Sequence, residues 1–132
     1  MRYVLDTNII SKRETYQQAR EWINGHQDQV ALSIFTIAEI IQGIEMLPEG
    51  GKRAGLEARL SSLLTEYPVL PFDLSEAKAW GAYAAKQTAQ NRKVALMDSL
   101  IAATAIANGL WVVTENTRHF PDVDQINPMA GD

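Results

Sequence analysis

The chain predicts an α/β fold: a mainly parallel sheet of four to five short strands flanked by helices. Three observations predict it. Short runs of β-branched and aromatic residues alternate with segments of helical periodicity. The first run, Tyr3-Val4-Leu5, is apolar throughout, as in a strand covered on both faces by a parallel-sheet fold. No internal repeat or linker interrupts the 132 residues, so one domain is expected over 1–132.

The elements follow in order. RYVLD (2–6) is the first strand. Thr7 and Asn8 are ready N-caps for a short helix, and a polar helix is expected over 15–24 with Gly25 as its stop. QVALS (29–33) reads as a second strand, and 34–47 as a helix ended by Pro48 and the Glu-Gly-Gly turn. A third helix is expected over 52–66. PVLPF (68–72) is a strand fragment whose prolines suit a sheet edge. Asp73 and Glu76 have capping-box spacing and open a helix running to about residue 90. Residues 97–108 form another helix, with Gly109 as its C-terminal cap. LWVVT (110–114) is a strong strand, ENTRHF (115–120) a turn or short helix, and VDQIN (123–127) a last edge strand.

Composition removes several kinds of chemistry. The absence of cysteine rules out disulfides, thiolate nucleophiles and zinc–thiolate sites, and fits a reducing compartment. The N-terminal apolar run is too short for a signal peptide, and no stretch reaches the roughly 18 apolar residues of a membrane span. A soluble cytoplasmic protein is expected. Twelve basic against sixteen acidic side chains leave a net charge of −4, which disfavours gripping nucleic acid by bulk charge. Such a partner would need a local basic rim or a bound cation. No phosphate-binding glycine loop or nucleophile elbow is present.

Three carboxylates stand out. Asp6 ends the first strand, at the edge where open parallel sheets bind ligands, although Asp, Thr and Asn are also common helix caps. Glu39 falls in the narrow polar sector of a helix that is apolar almost all round, a pattern that predicts a mostly buried helix. A carboxylate there is costly unless it is paired, metal-bound, protonated or turned to water. Asp98 lies in the first turn of its helix, where the dipole favours it, on a face shared with Ile101, Ala102 and Ala105. Hard divalent cations take carboxylate oxygens, and Mg2+ uses one or two while keeping several waters. Sequence alone leaves open whether the three meet.

The segments YVLDTNIIS (3–11), LSIFTIAEIIQGIE (32–45), PFD (71–73), MDSLIAATAIANGL (97–110), VVTENTRHF (112–120) and a late NP (127–128) resemble successive blocks of a PIN domain. The likeness is nearest to toxins of the VapC and FitB type from bacterial toxin–antitoxin pairs. The blocks stand in family order and span essentially the whole chain. The resemblance implies a compact three-layer fold, a Mg2+- or Mn2+-dependent endoribonuclease, and a homodimer held by a protein antitoxin. On the motif match, Asp6, Glu39 and Asp98 occupy the family's acidic positions. The C-terminal motif departs, because it reads TENTRHF with Asn116 at a site position and His119 where an acid is common. This puts in doubt a second metal with a full acidic ligand set. Asn116 can still offer a carbonyl oxygen, and Glu115 is a neighbouring acid.

Within that resemblance, Asp6 and Asp98 are expected as direct metal ligands. Glu39 would ligate through water or activate the attacking water. Thr7, Asn8 and Thr114 would hydrogen-bond the carboxylates. Lys12, Arg13, Arg92, Lys93 and Arg118 form a candidate basic rim for RNA. His119 reads as a phosphate contact, a proton shuttle or a packed surface histidine. Trp22, Trp80 and Trp111 are candidates for core, base stacking or partner contact. Two rivals remain. A Mg2+-dependent phosphatase of the HAD type would want a second Asp where Asn8 stands. A catalytically weak PIN-like module would serve mainly as an antitoxin's partner.

Overall fold

A computed structural model describes residues 1–130. The elements are β1 (Tyr3–Leu5), α1 (Thr7–Thr15), α2 (Gln17–Gly25), β2 (Val30–Ser33), α3 (Ile34–Glu45), α4 (Gly51–Glu66), β3 (Val69–Leu70), α5 (Leu74–Ala89), α6 (Leu96–Asn108), β4 (Trp111–Val113) and β5 (Gln125–Ile126). Two 3-10 turns, Gln27–Gln29 and Thr117–His119, complete the chain. The strands form one sheet in the order β3-β2-β1-β4-β5, and every pairing is parallel.

Central β1 explains the unbroken apolar run. Its alternating side chains feed two cores, Tyr3 and Leu5 into one and Val4 into the other. Val113 and Val112 of β4 divide in the same way. The first core joins Ile9 and Ile10 of α1, Ile23 of α2, Ile37 of α3 and Leu63 of α4. The second joins Tyr83 of α5 to Ile101, Ala102 and Ala105 of α6 and to Phe120. The small residues of α6 allow close packing against α5 and the sheet, as their spacing predicts. This is a three-layer α/β/α arrangement.

The Asp73–Glu76 capping box is present. Glu76 Oε1 accepts from the Asp73 N–H at 2.8 Å, and Oε2 accepts from Asn108 Nδ2 at 3.2 Å. Glu76 thus ties the start of α5 to the end of α6. Glu76→Ala removes both bonds and is expected to destabilise by about 1–2 kcal/mol, read as a lower urea midpoint. Gly109 follows α6 at φ 66°, the left-handed turn that ends the helix and leads into β4.

Three details differ from the sequence reading. The two helices expected before Gly25 are present, but the first is entered directly from Asp6, its N-cap residue, rather than from Thr7 or Asn8. It runs to Thr15, so that the second begins only after Tyr16, where φ is −113° and ψ 121°. Gly25 closes α2 rather than lying beyond it. The third concerns α3, expected to be mostly buried. Only Thr36, Ile37 and Ile44 are buried, while Ile34 and Ile41 are 41% and 43% exposed. The sheet and its neighbouring helices cover one stripe of α3 and leave the opposite apolar face bare.

Candidate functional site

Strand register builds the first half of the site. Leu5 pairs with Val113 in the parallel β1–β4 ladder, so the next residue of each strand emerges side by side at the sheet's C-terminal edge. Those residues are Asp6 and Thr114, 4% and 0% exposed. Thr114 Oγ1 donates to Asp6 Oδ2 at 2.9 Å and accepts from the Asn116 N–H at 2.9 Å. One hydroxyl therefore orients the carboxylate and anchors the loop after β4.

Helices bring the other acids to this edge. Ser33 caps α3 by accepting from the Phe35 N–H at 3.0 Å, which starts the helix at the end of β2. Glu39 follows just over a turn later, and its Oε1 accepts from Thr7 Oγ1 at 2.7 Å. The buried Thr36 hydroxyl lies 3.1 Å from that of Thr7, so α1 and α3 are joined through a pair of threonines. Asp98, in the first turn of α6, lies 3.4 Å from His119 Nδ1 through its Oδ2.

The acids feel one another. Burial pushes the Asp6 carboxyl above its ordinary value of 3.8; the Thr114 hydrogen bond opposes this, and the charges of Asp98 and Glu39 add to it. Burial also raises Asp98, with His119 opposing and Glu39 adding. Carboxylates so placed lower their free energy by taking up protons or a cation. Among the described residues, no three Asp, Glu or His side chains close tightly around one point. The carboxylates do not form a closed cage; a hard cation taken up here would have to keep much of its water and bind one or two of them directly.

These shifts carry a pH signature. Folded Asp6 and Asp98 hold protons more tightly than in the unfolded chain, so their contribution to stability falls as pH rises from about 3.8 through the raised folded values. Glu76 and Asp122 are shifted down and work in the opposite sense, which makes a difference measurement the clean one. In EDTA, the melting-temperature advantage of Asp6→Asn over wild type is expected to be small near pH 4 and to widen toward pH 7. A gap that stays constant with pH would contradict it.

The remaining candidates scatter. Asn8 faces solvent, and among the described residues its side chain has no hydrogen-bond partner; Thr36, passed over in the sequence, stands in the supporting shell instead. Only its position beside Thr7 in the fold identifies it. Asn116 and His119 border a cleft of about 250 Å³ with Glu115, Thr117 and Arg118. Lys12 pairs with Glu115 at 3.0 Å, which draws α1 to the loop after β4. Arg13 pairs with Glu66 at 3.3 Å and donates to the Tyr67 hydroxyl at 3.0 Å, away from the acids. Arg92 pairs with Asp122 at 2.7 Å, and Lys93 lies beside it on the loop between α5 and α6. Trp22 stacks on His26 against the first core, Trp80 bridges α5 and α6 by donating to Ser99 Oγ at 2.9 Å, and Trp111 is 41% exposed.

Comparison with known proteins adds to this geometry. Residues 3–126 match the model of the PIN domain. The chain is 34% identical to the VapC ribonuclease Y4jK of Sinorhizobium fredii and 32% identical to the toxin FitB of Neisseria gonorrhoeae, each time over 95% of this chain and 96% of the relative. The crystal structure of FitAcB from Neisseria gonorrhoeae superposes with a TM-score of 0.89 at 32% identity, covering 98% of this chain and 99% of that one.

Proposed function

The chain belongs to the PIN-domain family, in company with proteins of the VapC and FitB type, and we propose that it is a metal-dependent endoribonuclease, the toxin of a toxin–antitoxin pair. One observation carries the reading: Asp6, Glu39 and Asp98, distant in sequence, sit within electrostatic reach at the C-terminal edge of the sheet. A bound Mg2+ or Mn2+ would supply positive charge to offset the in-line transition state and to acidify an attacking water.

Asp6 and Asp98 would hold that cation, with Thr114 keeping Asp6 in its orientation. Glu39, steadied by Thr7, would orient the water and accept its proton. Asn116 borders the same edge and offers an uncharged oxygen toward the phosphate or its waters. The cation also reconciles an RNA substrate with a net charge of −4. We read 1–132 as a single working domain, because all five described strands join one sheet. Acting on cellular RNA, it would work in the cytoplasm; no helix among the described residues is long and apolar enough to cross a membrane.

Two surfaces support the partners. A groove of about 370 Å³ lined by Ile40, Ile44, Leu47 and Leu56 opens beside Thr7 and Glu39 and suits an amphipathic antitoxin segment. Ile34 and Ile41, two turns apart on the bare face of α3, suit a second copy of the chain.

Incubation of total RNA with Mg2+ or Mn2+ is expected to give discrete cleavage products that vanish in EDTA and with Asp6→Asn. A wild-type chain that leaves every RNA intact under these conditions would defeat the nuclease reading. If it still bound its antitoxin, the weakly catalytic module would replace it.

A further inference from the structure

Another concavity, about 430 Å³, lies between α5 and the start of α6. Trp80, Tyr83, Val94 and Leu96 give it an apolar floor, and Arg92 and Lys93 stand in its lining. No carboxylate lines it, in a chain whose net charge is −4. Asp122 pairs with both Arg92 at 2.7 Å and Lys86 at 3.6 Å, so one acid outside the lining is shared by two cations. Lys93 has no ion-pair partner among the described residues. Leu96 is 62% exposed, a large apolar side chain offered to solvent at the groove's edge.

The groove adjoins one of the acids, Asp98. Leu96 and Ser99 line it, and Asp98 lies between them in the first turn of α6. Burial holds the Tyr83 hydroxyl up at about 12, with the charges of Asp122 and Asp98 adding to the shift. Tyr83 and Trp80 have their polar ends engaged, by the Pro121 carbonyl and by Ser99 Oγ. What they present to the groove is hydrocarbon.

An apolar floor with a cationic lining suits a nucleotide, whose base buries a flat apolar face while its phosphate seeks positive charge. We propose that this groove holds a nucleotide of the RNA strand flanking the scissile phosphate, its base on Leu96, Val94 and Trp80 and its phosphate on Lys93 and Arg92. The proposal rests on the nuclease reading and adds to it a subsite that selects substrate.

The test uses the full chain carrying Asp6→Asn, so that RNA is not cut, and a short fluorescein-labelled single-stranded RNA in Mg2+. Lys93→Glu and Leu96→Glu change exposed positions, and unchanged melting temperatures verify the fold. Each is expected to weaken binding by about tenfold or more, with Lys93→Glu lowering the slope of log affinity against log salt by about one unit. Unchanged affinity in both variants overturns the groove, whether or not the wild type cleaves. A Leu96→Glu chain that becomes monomeric yet keeps its RNA affinity assigns Leu96 to a contact between copies and overturns it too. Groove-dependent binding by a wild type that never cuts RNA removes the nuclease reading and leaves the groove standing. Absence of any RNA binding removes both.

Discussion

Asp6→Asn is expected to cut RNA cleavage by about 10³-fold or more, the equivalent of the several kcal/mol that a bound cation contributes to such a transition state. The same substitution is expected to raise the melting temperature of the metal-free chain by about 3 °C or more at neutral pH. The two effects have one cause. Asp6 is 4% exposed, and its charge is opposed by burial and by Asp98 and Glu39. Asparagine keeps the shape and can still accept from the Thr114 hydroxyl, but it removes the charge. Stability rises where function is lost, as at sites that hold strained charge for a purpose. Thermal scans with and without Mg2+ complete the check, because wild type should gain stability from the ion and Asp6→Asn little. If activity and melting temperature fall together, Asp6 is an ordinary structural residue.

The second large effect lies at Phe120, fully buried between the sheet and α5–α6. Phe120→Ala is expected to destabilise by about 3–5 kcal/mol, the usual result of emptying an aromatic site in a packed core. This ring also closes the segment that carries Asn116 and His119. Its carbonyl accepts from Gln125 Nε2 at 3.1 Å, and Tyr83 donates to the next carbonyl, of Pro121, at 2.7 Å. Cleavage should therefore fall with the folded fraction in urea, whereas Phe120→Leu costs about 1 kcal/mol and keeps activity at 25 °C. A loss under about 1 kcal/mol for the alanine variant would show that the loop is anchored elsewhere.

Much of the fold is legible because burial leaves period and punctuation in the chain. Tyr3 to Leu5, Val30 to Ser33 and Trp111 to Val113 announce buried strands, and Gly109 and the Asp73–Glu76 box announce helix ends. Two helices before Gly25 are legible, but the exact place of their break at Tyr16 is not, since no glycine or proline marks it. Exposure of Ile34 and Ile41 is silent for another reason: apolar periodicity records that a face avoids water, not which molecule covers it. The three acids are visible as charges in apolar company. Thr36 is not, because its part depends wholly on Thr7 arriving from a different helix.

The hydrogen bond from Thr114 to Asp6 joins residues 108 positions apart. A ribosome delivers the N-terminal end first, at about 5–20 residues per second, so a chain still being made holds its opening acid without the strand that orients it. Glu39 and Asp98 emerge in between, and Glu39 can already meet Thr7 at that stage. On the nuclease reading, the site would therefore be incomplete until β4 has been delivered.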